Sequence, residues 1–269
     1  MAQRKRKNSI TFDSYYSEQW NDRWPELKTS LGKQSVYTEI QTNSSNAYYL
    51  DPASVWAVNN LPLSSIKAEF GNLTLQVLDM CAAPGGKSLA IIQLLSSWQL
   101  PFSLVANDRS SQRRSRLHKV LRSNSDQECP PDIKITGHDA TRWGLHEKNR
   151  YHIIIADVPC SSEAHVIQSP QHLSQWSHSR AKRLAQQAYT ILLAAIDAAA
   201  PGGIILYSTC SINQHENDRV IGKAAIRRPT EFSVIQTFKQ NEQVTIADYP
   251  LKPEPTEFGA MILPDRNNG

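Results

Sequence analysis

From Leu75 onward, short aliphatic and β-branched runs alternate with stretches of helical periodicity. No other feature of the sequence constrains the fold as much. "LQVLDM" reads as a buried strand, and "SLAIIQLLSSW" places Leu89, Ile92, Leu95 and Trp98 on one helical face. "FSLVAND", "DIKITGHDA" and "YHIIIADVPC" supply further strands, with a basic helical stretch after the first of them. A helix from about Ser179 to Ala200 carries Leu184, Ala188, Leu192, Ala195 and Ile196 at core spacing. Pro201-Gly202-Gly203 stops it, and "IILYSTC" follows as a strand. "NQHENDRVIGKAAIRR" reopens a helix, with Asn213 and Glu216 spaced as a capping pair. A β-α-β-α order of this kind predicts an α/β fold with a mostly parallel, doubly wound sheet.

The first 70 residues differ in character. Phe12, Tyr15, Tyr16, Trp20 and Trp24 crowd together behind a basic tail. Such rings could stack on unpaired bases, but a small helical appendage anchoring them to the main domain is the favoured reading. The division expected is therefore a basic and aromatic appendage over 1–70 and a catalytic domain over 71–269. At the other end, "TEFGAMILPDRNNG" reads as one strand followed by Asn-Gly, a hairpin signal with no second strand after it. A final antiparallel strand is expected to be missing.

A chain of 269 residues that is 40% hydrophobic can bury one sizeable core. Its net charge of +4 permits a nucleic-acid partner without arguing for one. No apolar run approaches the roughly 18 residues of a membrane span, so no membrane partner is expected. Nothing resembles a secretory signal, and a cytoplasmic location is expected ahead of the mitochondrial matrix. Cys81, Cys129, Cys160 and Cys210 have no zinc-ligand spacing, and the eight histidines have no metal-ligand pattern either. Free thiols are expected, Cys129 as an ordinary loop residue. His165 lies nearest the interesting cysteines, in a surface or supporting role.

Ligands of open parallel sheets bind beyond the carboxyl ends of the strands. Those ends bring together Asp79 with the Cys81–Lys87 turn, Asn107-Asp108, Asp139, Asp157 with Cys160, and Cys210. Gly86-Lys87-Ser88 imitates the end of a P-loop, but Cys81 stands where that motif needs glycine and Pro84 stiffens the turn. Asp108 follows the second strand, where nucleoside-binding folds place an acid on ribose hydroxyls. The absence of Gly-x-Gly-x-x-Gly argues against a dinucleotide. S-adenosyl-L-methionine, a nucleoside with a sulfonium charge and no phosphate, satisfies both observations. Two thiols beside a methyl donor point to carbon 5 of a pyrimidine, which needs a thiolate on carbon 6 before it can accept a methyl group. Either thiol needs stabilisation as a thiolate, with Lys87 and the sulfonium as the available charges. Asp157 is placed to hold the base edge.

"DMCAAPGGKS", "DVPCSS" and "YSTCSI" together resemble the Nol/Nop/Sun family of RNA cytosine-5 methyltransferases. The likeness extends through "FDSYYSEQW", "YYLDPASV" and "GHDATRWG" and is nearest the family's short branch. It implies a Rossmann-like class I methyltransferase fold acting as a monomer on RNA, with ribosomal RNA or a ribosomal particle as substrate. It also implies that Cys81, Ala82, Ala83, Pro84, Gly85, Gly86 and Lys87 wrap the cofactor. Asp108 and Asp139 would hold its ribose and adenine, and Asp157 would sit between cofactor and base. Cys210 would be the nucleophile and Cys160 would assist product release. Two departures stand out: the missing last strand, and the lack of a separate RNA-binding module. A non-catalytic RNA-binding ribosome assembly factor on the same fold is the competing reading. The stretch Arg109–Arg122 carries six Lys/Arg and no acid, as a phosphate-tracking face or a solvated helix would.

Overall fold

"YHIIIAD" forms the most deeply buried strand of the molecule, with Ile153, Ile154 and Ile155 all inaccessible to solvent. A continuous apolar run of this kind is what a parallel strand covered on both faces requires. The computed structural model describes residues 10–40, 47–71, 73–124, 132–236, 244–246 and 249–267. Two helices come first, α1 (Phe12–Trp20) and α2 (Trp24–Leu31). A short antiparallel pair follows, β1 (Thr38–Ile40) with β2 (Tyr48–Leu50), then α3 (Pro52–Asn59) and α4 (Leu63–Phe70). The alternating region is β3 (Leu75–Asp79), α5 (Gly86–Ser97), β4 (Phe102–Asn107), α6 (Ser111–Asn124), β5 (Asp132–Thr136) and β6 (Tyr151–Asp157). It continues through the short α7 (Glu163–Ile167) and α8 (Pro170–Ser174), the long α9 (His178–Ala198), β7 (Ala199–Ser208) and α10 (Asp218–Arg227). Two small antiparallel pairs close the described chain, β8 (Val244–Ile246) with β9 (Tyr249–Leu251) and β10 (Glu254–Pro255) with β11 (Ala260–Met261).

The central sheet has the order β5-β4-β3-β6-β7, every neighbour parallel. The chain winds outward from β3 to β5, then returns to the other side of β3 to place β6 and β7. The order therefore reverses between β3 and β6, where a crevice opens beyond the strand ends. One sheet face packs on α4, α5 and α6 through Ile66, Leu89, Ile91, Leu95, Leu117 and Leu121. The other packs on α9 and α10 through Ala188, Ile191, Leu192, Ala195, Val220 and Ala224. This is the Rossmann-like doubly wound arrangement expected. Gly203 is needed where β7 bulges past β6: an added Cβ would lie 2.8 Å from the carbonyl oxygens of Tyr151 and Ala200.

The aromatic segment turns its rings inward. Phe12, Tyr15, Tyr16 and Trp24 are buried with Leu27, Ala181 of α9, Ile212 and Leu263. Tyr16 stacks on Trp24 at 5.2 Å, and Phe12 meets Trp176 edge-on at 5.5 Å. Between α1 and α2, Arg23 grips Glu254 with two hydrogen bonds of 2.7 and 2.6 Å and reaches Asp265 at 2.7 Å. This bidentate geometry ties the segment between α1 and α2 to β10.

Three local expectations are corrected. Trp98 is 42% exposed and does not continue the apolar face of α5, because the helix ends at Ser97 and Trp98 is its cap. Asn213 and Glu216 cap no helix. Residue 217 precedes α10, while Glu216 is fully buried and turned toward Ser161. "TEFGAMIL" is not one strand: Thr256–Gly259 makes a turn between β10 and β11, docked on Asp218 at the start of α10. The Asn268-Gly269 pair and Cys129 lie outside the described residues.

Candidate active site

The crevice is built by the turn that joins β3 to α5. Its chain is fixed by Asn107, a fully buried side chain at the end of β4. The Asn107 amide donates to the carbonyls of Met80 (2.9 Å) and His138 (3.1 Å), and its oxygen accepts from Thr136 Oγ1 and the His138 backbone. The turns after β3, β4 and β5 are thereby locked to one another. Gly86 lets the turn lie against β2, since a Cβ there would stand 2.5 Å from Leu50 Cδ1. Ala82 and Ala83 are buried, and Arg113 of α6 donates to the Ala83 carbonyl.

Four carboxylates line this edge of the sheet. Asp79 is buried and accepts from Ser88 Oγ at 2.7 Å. Burial raises its pKa to about 7. Asp108 is also buried. It accepts from the Ser110 backbone at 2.9 Å, and Arg113 stands 3.3 Å from its other oxygen. Asp79 Oδ1 has no hydrogen-bond partner among the described residues, and Asp108 Oδ2 has only the ion pair with Arg113. Asp139 accepts from the backbone and hydroxyl of Thr141, which lower its pKa, and pairs with Arg109 at 3.3 Å. Asp157 closes β6 beside Ser208 of β7, whose hydroxyl donates to it at 2.8 Å.

Lys87 is the cation of the group. Its Nζ lies 2.9 Å from Asp157 Oδ2 and donates to Ser54 Oγ of α3 at 3.0 Å. Burial pulls its pKa down, but the ion pair with Asp157 outweighs that and the net shift is upward. An ammonium so engaged, with Ser88 held by Asp79, leaves neither P-loop residue free for a phosphate.

Cys160 and Cys210, 50 residues apart in sequence, meet with their sulfurs 2.9 Å apart. Ser162 Oγ is 3.0 Å from Cys210 and 3.6 Å from Cys160. The Cys160–Cys210 hydrogen bond raises the Cys160 pKa well above the usual thiol value and lowers that of Cys210. The Ser162 hydroxyl also favours the Cys210 thiolate, against burial. Lys87 also couples electrostatically to Cys210, so the charge expected from the sequence acts alongside these two donors. Cys81 stays a thiol, its pKa raised by burial and then by Asp79, Asp108 and Asp157.

The supports of the two cysteine loops are not evident in the sequence. Glu163, fully buried, accepts from Tyr16 of α1, from Ser211 Oγ at 2.8 Å and from the Ile212 backbone at 3.1 Å. Glu216 accepts from the Ser161 backbone at 2.8 Å, from the Ser161 hydroxyl, and from Asn213 Nδ2 at 2.7 Å. The Pro-Cys loop and the Thr-Cys loop each lend a carboxylate to the other. The one available signal is the acid three residues after the cysteine in "CSSE". His165, by contrast, is exposed and stacks with His172. Of the six cations in the basic stretch, Arg109, Arg113 and Arg114 turn to Asp139, Asp108 and backbone carbonyls; Arg116, Lys119 and Arg122 stay exposed.

Burial gives the site a pH signature. Asp79 and Glu216 keep their protons up to about 7 in the folded chain, against ordinary values of 3.8 and 4.5. Between those limits the folded state binds more protons than the unfolded one, so their contribution to stability declines as pH rises. Asp79→Asn and Glu216→Gln are each expected to flatten the fall of melting temperature across this window. Parallel curves for parent and variants would contradict the assignment.

The model of the 16S rRNA methyltransferase RsmB/F family matches residues 71–268. The 5-cytosine rRNA methyltransferase NSUN4 of Xenopus tropicalis is 35% identical over 205 residues, 74% of this chain and 48% of that protein. NSUN4 of Mus musculus is 34% identical over 81% of this chain and 56% of its own. Ribosomal RNA small subunit methyltransferase F of Escherichia coli is 31% identical over 75% of this chain and 38% of its own. The chain thus spans about half the length of the curated relatives it matches. Among solved structures, a methyltransferase homologue from Pyrococcus horikoshii superposes with a TM-score of 0.58 at 17% identity, covering 94% of this chain and 86% of its own. NSun6 of the same organism gives 0.51 at 22% identity, over 68% and 42%. Both likenesses are of fold.

Proposed function

This chain belongs to the RsmB/F methyltransferase family, and on that premise we propose that it methylates carbon 5 of cytosine in ribosomal RNA through a covalent cysteine adduct. The observation that carries the reading is the meeting of Cys160 and Cys210 beside the Lys87–Asp157 pair, at the point where the strand order reverses. The named relatives are rRNA 5-cytosine methyltransferases, which supports the choice of base and RNA class.

S-adenosylmethionine would supply an electrophilic methyl group. The residues present suit such a nucleoside: the buried Asp108 keeps an oxygen that makes no hydrogen bond and meets only the partly exposed Arg113, and the turn from Cys81 to Lys87 offers no phosphate cradle. Asp108 would accept from the ribose hydroxyls, Asp139 would stand at the adenine end, and the Cys81–Lys87 turn would enclose the amino-acid end. The Cys210 thiolate would add to carbon 6 of the base, and the electron pair of the 5,6 double bond would then serve carbon 5 as nucleophile. Asp157, held by Ser208 and Lys87, would bond the polar edge of the cytosine and steady the charge gathered on the ring. Cys160, once its own proton has passed to solvent, would take the carbon 5 proton; the freed C–H electron pair would restore the 5,6 double bond, and the sulfur–carbon 6 pair would leave with Cys210 as thiolate.

Incubation with labelled methyl donor and ribosomal RNA or small-subunit particles, followed by bisulfite sequencing, tests the reaction. The expected result is a discrete 5-methylcytosine. Cofactor binding without any methyl transfer would sink the enzymatic reading. Within it, Asp108→Ala is expected to weaken cofactor binding by about 1.5–3 kcal/mol, the range for hydrogen bonds to a charged group. Calorimetry showing unchanged affinity would reduce Asp108 to a turn residue bonded to Ser110.

A further inference from the structure

A groove of about 220 Å³ runs between α9 and α10, and all the charged residues that line it are cations. Lys182 comes from the start of α9, and Arg219 and Lys223 lie one turn apart on α10. His215 adds a fourth basic group from the loop before α10. No carboxylate of the described residues lines it; of the two adjacent in sequence, Asp218 is bonded to Thr256 and the Glu257 backbone, and Glu216 to Ser161 and Asn213. Lys182, Arg219 and Lys223 are all exposed, so their charges are gathered without being neutralised. Arg219 lies 3.0 Å from the His215 ring, and the Lys223 ammonium sits 4.1 Å over the face of Tyr189 while donating to Gln186. Burial together with Arg219, His178 and Lys182 pulls the His215 pKa down, the sign of a locally positive field.

Solvent-exposed cations gathered on one surface create a positive potential that attracts a polyanion. The position says which anion. His215 is five residues beyond Cys210, and the intervening loop is held rigid by Glu163 and Glu216. The loop from Cys210 to His215 therefore joins the crevice directly to the lining of the groove. Resting on the proposed RNA methylation, we propose that the α9–α10 groove is the phosphate-binding track for single-stranded RNA flanking the target cytosine. Lys182, Arg219 and Lys223 contact the backbone there.

The test is binding of a fluorescein-labelled, single-stranded ribosomal RNA oligonucleotide at several salt concentrations. It compares the parent chain with a triple variant, Lys182→Gln, Arg219→Gln and Lys223→Gln. Three lost phosphate contacts should lower the slope of log K against log salt by about 2 and weaken binding about tenfold or more at moderate salt. Cofactor affinity and melting temperature should stay as in the parent, because all three residues are exposed and remote from the carboxylates of the crevice. An equal-charge control, Arg116→Gln, Lys119→Gln and Arg122→Gln on α6, should change the slope much less. An unchanged slope in the groove variant, or an equal change in the α6 control, overturns the track while leaving the methylation reading intact. A parent chain that binds no RNA and methylates none overturns both.

Discussion

Cys210→Ala is expected to abolish methyl transfer and to leave no RNA attached to protein, whereas Cys160→Ala is expected to trap the RNA. The two sulfurs stand 2.9 Å apart, so position alone does not distinguish them. Their electrostatics do. Cys210 is the exposed one of the pair and has the lowered pKa, because the Cys160 thiol and the Ser162 hydroxyl both donate toward it. Cys160 has the raised pKa and stays protonated. An attacking group must be the thiolate, so on the proposed mechanism Cys210 is the one expected to make the carbon 6 bond, and its loss to bring the rate to background. Without Cys160, Cys210 keeps the Ser162 hydroxyl as a donor, so addition and methyl transfer are expected to continue at a reduced rate while release stalls and the adduct accumulates. A denaturing gel of each variant after incubation with substrate RNA and cofactor reads the difference as a slow-migrating band. A band with Cys210→Ala and none with Cys160→Ala would reverse the roles. Methylation by both variants without a band would end the covalent mechanism.

Much of the crevice is legible in the sequence because parallel sheets obey a positional rule. Asp79, Asp108, Asp139, Asp157, Cys160 and Cys210 each follow a strand, so strand recognition alone sends them to one edge. The long helix is legible for a related reason: Ala188, Leu192, Ala195 and Ile196 repeat at helical period and are all buried. Periodicity carries no information about partners brought from far along the chain. Ser54 reaches Lys87 only because Asp51 caps α3 and turns its first residues toward the crevice. Tyr16 finds Glu163 across 147 positions, and Ser161 finds Glu216 across 55. An acid such as Glu216 in "NQHEND" looks like a solvated or capping residue. Only the folded chain shows that its whole carboxylate is occupied by the loop of the other cysteine. The polarisation of Cys210 is hidden for the same reason, since its donors come from Cys160 and Ser162 rather than from a charge near it in sequence.

Glu163→Ala is expected to destabilise the fold by about 3–5 kcal/mol, as removing one partner of a buried charged network does. The carboxylate is buried and gathers three donors: the Tyr16 hydroxyl, Ser211 Oγ and the Ile212 backbone. Alanine leaves all three without an acceptor in a place water does not reach, and each orphaned group costs about 1–3 kcal/mol before any relaxation. Glu163→Gln keeps the shape and one acceptor oxygen, so it should cost less than alanine, and Tyr16→Phe less again because two donors remain on the carboxylate. The order Glu163→Ala, Glu163→Gln, Tyr16→Phe in urea midpoint is therefore the stability signature. A second readout separates support of the fold from support of the site. Ser211 and Ile212 directly follow Cys210, so loosening them displaces the sulfur from the base. The remaining activity of Tyr16→Phe should accordingly fall through kcat while its affinity for cofactor, bound at the other end of the crevice, stays unchanged. Equal urea midpoints for all three variants would show that α1 merely covers the domain. A loss of cofactor affinity in Tyr16→Phe would show that the appendage acts on the β3 turn instead of on the cysteine loops.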